Sequence, residues 1–203
     1  MDTNTVMKNK ETFLALANKN IKRKGIENLL KWLEKTDFFT APASTKYHSY
    51  FEGGLCEHSL KVYDNLCHLV QWKMNSGQEL DAATIESITI IALFHDISKI
   101  GKYEISFRNS KNEKGEWEKV PYYAYTNEKS KILLGHAETS IFMLQKFLLL
   151  TLEEATSIRW HMGAYDTSVK GGDREYSAAL QKCPIAMLTH IADDMSATLD
   201  EVQ

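Results

Sequence analysis

The chain has 203 residues, 43% of them hydrophobic, and a net charge of −3. That composition supports a sizeable core in a single domain, and the charge gives no global attraction to a polyanion while leaving a local basic patch open. No apolar run approaches the roughly 18 residues of a membrane span, and Met1-Asp2-Thr3-Asn4 lacks the basic-then-apolar pattern of a secretion signal. In chain order, residues 10–35 predict two amphipathic helical stretches broken at Gly25. Residues 38–44 read as a loop packed by aromatics. Gly53-Gly54 then precede a long helix with Leu55, Val62, Leu66, Leu69 and Val70 at helical spacing, ended by Asn75-Ser76-Gly77. Asp81 is placed as the N-cap of the next helix, which carries Ile85, Ile88, Ile91 and Ala92 and ends at His95-Asp96. Periodicity alone leaves that apolar run open to a buried strand, and its length and cap favour helix. Residues 103–125 are aromatic and β-prone around a polar, Gly-ended stretch, and predict a β-hairpin among the helices. Its aromatics are expected to pack on the bundle. Helices resume over 136–150, 153–161 and 184–200. Thr151 with Glu154 forms a capping box for the second, and Pro184 sits in the first turn of the third. The expectation is an all-α fold with one inserted hairpin, residues 1–37 supplying helices that pack on a domain spanning 38–203.

Chemistry concentrates in six side chains, His58, His95, Asp96, His136, His161 and Asp193, each near a helical stretch. Imidazole and carboxylate suit divalent iron, manganese, nickel, zinc or magnesium. Six donors exceed what one tetrahedral zinc needs, and are enough for two metals with positions left for water and substrate. His95-Asp96 ends a strongly apolar run, where a carboxylate is expensive unless something pairs with it. Two readings stay open on local chemistry: a metal, or a buried His-Asp hydrogen bond. Of Asp193-Asp194, consecutive helical residues about 100° apart, only one can enter a shared site. Small neighbours at Ala192 and Ala197 favour Asp193. His48, His68 and His190 stay unassigned, although His190 shares a face with Asp193, which leaves a supporting role open to it. Cys56, Cys67 and Cys183 are odd in number and form no Cys-x-x-Cys, which favours reduced thiols and a cytoplasmic setting. Cys56 reads as a buried thiol rather than a ligand.

The order His58, His95-Asp96, Asp193 resembles the HD superfamily of metal-dependent phosphohydrolases. The segment Gly53 through Ser59 is similar to the first-histidine segment of that family. His95-Asp96-Ile97-Ser98-Lys99 resembles its His-Asp-Ile-Gly-Lys signature, with Ser98 where glycine is usual, and His190-Ile191-Ala192-Asp193 resembles its last-aspartate helix. Residues 39–58 are similar to the HD domain of bacterial exoribonucleases that pair it with an OB-fold. The segment ahead of the HD region here reads as short and helical, so an RNA substrate is not carried over. The resemblance covers about residues 38–197 and implies an all-helical bundle. It makes His58, His95, Asp96 and Asp193 ligands of a core metal. His136 and His161 match the extra histidines of the two-metal branch, with Asp96 bridging.

The resemblance further implies hydrolysis of a phosphoester, nucleotide-derived, by metal-activated water, with Asp96 positioning the nucleophile and Lys99 donating to a phosphate oxygen. Arg159 and Arg174 are further candidates for phosphate contact, and Gly171-Gly172-Asp173 reads as a loop at the rim. The expected partner is a small phosphorylated substrate, with no membrane. Three alternatives remain. A nuclease on single strands would use Phe107, Trp117, Tyr122, Tyr123 and Tyr125 to stack bases. A diiron oxygenase would use the same metal site, and a sensor would bind a nucleotide without cleaving it.

Overall fold

One helix whose C-terminal half is buried on every side organises the chain. The computed structural model describes residues 3–74, 79–127 and 134–201. Helix α4 (Ala82–Phe94) buries every residue from 88 to 94, the pattern of a helix surrounded by protein rather than of an amphipathic surface helix. Asp81 starts it, its carboxylate accepting from the Thr84 N–H at 2.7 Å. The other helices are α1 (Thr3–Asn20), α2 (Ile26–Leu33), α3 (Gly54–Met74), α5 (His136–Leu144), α6 (Leu152–Trp160), the short α7 (Thr167–Lys170), α8 (Glu175–Lys182) and α9 (Pro184–Met195). Helix α3 packs on α4 and α9, α6 on α9, α5 on α6, and α1 lies across α3 and α4. Phe13 of α1 is fully buried and meets Phe38, Phe39 and Phe94 edge to face at 5.1–5.6 Å, so the first helix shares the main core. No helix among the described residues is long and apolar enough to cross a membrane.

Several local signals appear as expected. Gly25 separates α1 from α2 with a φ of 104°, and a Cβ there would run into the Phe147 carbonyl. Thr151 and Glu154 form the capping box of α6, and Pro184 opens α9. Two details differ. Helix α5 stops at Leu144 rather than continuing to 150. Arg23 takes the Leu149 carbonyl at 3.0 Å and Thr151 needs extended backbone to cap α6, so Leu148 fills the core while Leu149 is left exposed. Helix α9 gives way at Ser196–Asp200 to a π-turn. The end expected at Asn75-Ser76-Gly77 lies outside the described residues.

The hairpin pairs β1 (Tyr103–Lys111) with β2 (Trp117–Tyr125) in antiparallel register from Tyr103↔Tyr125 to Lys111↔Trp117. Its base is fixed by Tyr103, whose hydroxyl donates to the Ala43 carbonyl at 3.1 Å. Of the five aromatics expected to pack on the bundle, Phe107, Trp117 and Tyr125 are instead 63%, 69% and 57% exposed, while Tyr122 and Tyr123 are half-buried. Most of the hairpin stands out from the helices, and even Tyr125, paired with Tyr103 at its base, is left exposed.

Arg23 joins the N-terminal helices to the bundle. Its guanidinium holds the fully buried Glu154 carboxylate at 2.6 and 2.9 Å and Glu86 at 3.3 Å, and Ser87 adds a hydroxyl to Glu154 at 2.8 Å. Burial raises the Glu154 pKa, but Arg23, the Thr151 N–H and Ser87 together bring it below the ordinary value of 4.5. Replacing Arg23 with Leu strands a buried carboxylate, and should cost about 3 kcal/mol in urea unfolding followed by circular dichroism. A lowered native pKa contributes stability above the unfolded value and loses it as pH falls, so this deficit should narrow below pH 4.5. A pH-independent deficit would assign the loss to packing alone.

Candidate metal centre

The end of α4 delivers His95 and Asp96 into the middle of the bundle, and a tight turn at Ile97–Lys99 follows. Helix α3 brings His58, the first residue of α5 is His136, His161 follows α6, and α9 carries Asp193. His58, His95 and His161 are fully buried and Asp96 is 2% exposed. All six predicted side chains therefore meet at one place.

The two oxygens of Asp96 face different groups. Oδ2 lies 3.5 Å from His95 Nε2, 3.7 Å from His58 Nε2 and 2.6 Å from Lys99 Nζ. Oδ1 lies 2.5 Å from His136 Nε2 and 3.5 Å from His161 Nε2. Asp193 Oδ1 completes the first group, 3.0 Å from His58 Nε2 and 3.8 Å from His95 Nε2. The sets His58, His95, Asp193 and His95, Asp96, His161 each bring ligand atoms close enough to hold one ion.

Each histidine is held from behind. His95 Nδ1 donates to the Ala92 carbonyl at 2.9 Å and His161 Nδ1 to the Ile158 carbonyl at 2.7 Å. His58 Nδ1 meets Glu201 Oε1 at 2.8 Å, and His136 Nδ1 meets the Ser98 hydroxyl at 2.9 Å. With Nδ1 engaged, each Nε2 is aimed at the centre, the arrangement that fixes a metal-binding imidazole. His161 Nε2 is buried with no hydrogen-bond partner, which is costly unless something else takes its lone pair. His190 supports the same histidine by donating Nδ1–H to the His161 carbonyl at 2.8 Å, and its ring fills space that Gly163 leaves by having no Cβ.

Charge follows this geometry. Burial alone would raise the Asp96 carboxyl, but Lys99, His95 and His136 hold it well below the usual range. Burial pulls His58 down, yet Asp193 and Glu201 raise it to about 9. Burial pushes the Cys56 thiol up to about 12, consistent with a core thiol and not a thiolate ligand.

A cavity of about 670 Å³ opens over the centre and is lined by Tyr47, His48, Asp96, Lys99, His136 and Asp193, among others. Neither Arg159 nor Arg174 lines it. Arg159 is committed to Glu138 and Asp166, each at 2.8 Å, and stacks on Trp160, while Arg174 is exposed at the start of α8. Asp194 lies on the exposed side of α9 at the cavity edge.

Sequence reasoning missed Glu201 and gave His48 no role. Glu201 is buried, and its second oxygen meets His48 Nδ1 at 3.0 Å. Eight residues after Asp193, it would sit about 80° off that face in a regular helix. The π-turn absorbs one residue and returns it to the face of Asp193. Ser196 and Asp200 anchor that turn to Asn65 at 2.9 and 2.7 Å. Ser98 appeared only as a departure from glycine, and its hydroxyl in fact supports His136.

Residues 55–198 match the family model of the HD domain. No curated protein and no solved structure matches the chain. Glu201 lies just beyond the matched span. Glu201→Gln should weaken binding of Mn²⁺ about tenfold by titration calorimetry, with helicity unchanged. Unaltered affinity would make Glu201 a packing residue.

Proposed function

The chain belongs to the HD-domain family, and we propose that it is a two-metal phosphohydrolase acting on a nucleotide-derived phosphoester. The observation that carries this reading is the division of Asp96: one carboxylate, buried, with each oxygen turned to a separate set of imidazoles. The donor set fits divalent ions, because every Nε2 points inward while its Nδ1 is satisfied elsewhere, and the buried His161 Nε2 makes no hydrogen bond.

In this reading His58, His95, Asp96 and Asp193 hold one metal, and His136, His161 and Asp96 hold the second. Bound divalent ions lower the pKa of water and neutralise charge on phosphoryl oxygens. Asp96 contributes the shared carboxylate and so fixes the separation of the two groups. Lys99 stays charged beside Asp96 although burial opposes it, and it lines the cavity as a donor for a phosphate oxygen. Asp193 would bring a second carboxylate to the first group and offset the charge of the ion held there. Arg159 and Arg174 have no part in this reading, since neither reaches the cavity lining.

Purified protein should release phosphate or nucleotide from a panel of mononucleotides, cyclic dinucleotides and short oligonucleotides when Mn²⁺, Fe²⁺, Ni²⁺ or Mg²⁺ is added. Asp96→Ala should abolish that turnover and keep its helicity. His136→Ala and His161→Ala should lower metal content from about two per chain towards one. Lys99→Ala should slow turnover more than it weakens metal binding. Full activity in Asp96→Ala, or unchanged stoichiometry in both histidine variants, would overturn the assignment.

A further inference from the structure

The hairpin exposes what the rest of the fold buries. Ile105, Phe107, Trp117 and Tyr125 are all more than half exposed. Their register partners are Tyr123, Pro121, Lys111 and Tyr103, so all eight belong to one face of the ribbon. The strand carboxylates Glu104 and Glu118 alternate onto the other face, which also carries Arg108 and Tyr122. A patch of this kind on a soluble domain marks an interaction surface.

The patch continues into two cavities. A groove of about 880 Å³ runs between the hairpin and residues 45–50, with Lys46, Tyr50, Arg108, Tyr122, Tyr123 and Tyr125 in its lining. Arg108 stacks over Tyr122 at 5.6 Å. Tyr125 also lines the next cavity, of about 330 Å³, together with Lys99, Lys102, Tyr103 and His136. Lys99 and His136 in turn line the cavity over the metal centre. Among the described residues no carboxylate lines either of the first two cavities, although the chain as a whole carries a net charge of −3. Glu52 is near enough for its charge to reach Tyr123, but it is not in the lining.

We propose that this groove, continued past Tyr125 to Lys99, is a track for single-stranded nucleic acid leading to the metal centre. The ligand must be a polyanion, because the lining offers cations without carboxylates. It must also present planar faces, because tyrosines alternate with those cations, and stacking on them requires unpaired bases. The inference rests on the phosphohydrolase reading for what happens at the end of the track, but binding can be read without it.

The test is fluorescence anisotropy of a labelled 12-residue single strand of mixed sequence, as DNA and as RNA, at several salt concentrations and without added metal. Asp96→Ala protein is included so that cleavage plays no part. Binding should exceed that of a mononucleotide and of the matching duplex. Tyr125→Ala should weaken it about tenfold. Lys46→Glu with Arg108→Glu should weaken it further and lower the slope of log affinity against log salt by about one per cation removed. All these side chains are at the surface, and thermal unfolding checks that each variant folds. Small phosphoesters turned over with no strand bound would overturn the track and leave the phosphohydrolase reading intact. A strand bound as expected, with no phosphoester ever hydrolysed, would support the track and overturn that reading instead. Binding indifferent to Tyr125 and to the two cations would overturn the track. So would a concentration-dependent dimer that hides the hairpin and binds no strand.

Discussion

A buried carboxylate at the end of an apolar helix is the constraint from which the rest of this structure follows. Moving an ionised carboxylate into protein costs several kcal/mol unless charge and hydrogen bonds return it. Asp96 is 2% exposed, and it is surrounded by Lys99 and by four imidazoles drawn from three other elements and its own neighbour. Helix α4 can deliver it there because nothing on that helix from 88 to 94 needs water. Helices α1, α3 and α6 bury the apolar surface of α4, and the packing of α3 and α6 brings His58 and His161 to Asp96, while α5 brings His136 by packing on α6 and on the turn after Asp96. Core and site are one construction.

The histidines add a second layer of constraint. An imidazole free to rotate about its χ angles would lose its aim, and each of these is prevented from doing so by a bond to Nδ1. Two of those bonds use carbonyls of the preceding helical turn, which any sequence provides. The other two use side chains particular to this chain, Ser98 and Glu201. Serine in place of glycine after His95-Asp96 therefore adds a hydroxyl where one is used. Glu201 reaches His58 and His48 together only because the π-turn resets its angle, and Asn65 on α3 holds that turn in place.

The legibility of these features tracks the range of the interaction that produces them. The caps at Asp81 and Thr151, the break at Gly25 and the paired strands are local, and the residues that make them are adjacent in the sequence. The six candidate donors were legible because imidazole and carboxylate in that order carry a recognisable pattern, and the structure brings them together. Glu201 was hidden by a one-residue irregularity that no periodicity signals. The early end of α5 was hidden because Arg23, more than a hundred residues away, sets the conformation around Leu149. Exposure of the hairpin aromatics was misread for a related reason. Composition suggests that Phe107 and Trp117 want burial, but only the tertiary arrangement determines whether a surface is there to receive them.

The hairpin also differs from the bundle in what holds it. Two strands without a covering layer are marginal in water, so an element of this kind depends on its attachment. Here the attachment is short. The Thr126 N–H donates to the Lys102 carbonyl at 2.8 Å, the Lys102 N–H to the Lys99 carbonyl at 3.1 Å, and the Lys99 side chain to Asp96 at 2.6 Å. The base of the ribbon is thus hydrogen-bonded to the turn that carries the cavity lysine. A load on the exposed face reaches the bundle through residues 99–102 and through the Tyr103 hydroxyl on the Ala43 carbonyl. An element placed this way positions Lys99 relative to Asp96 as much as it extends the surface, and the two roles cannot be separated by shortening the ribbon at its base.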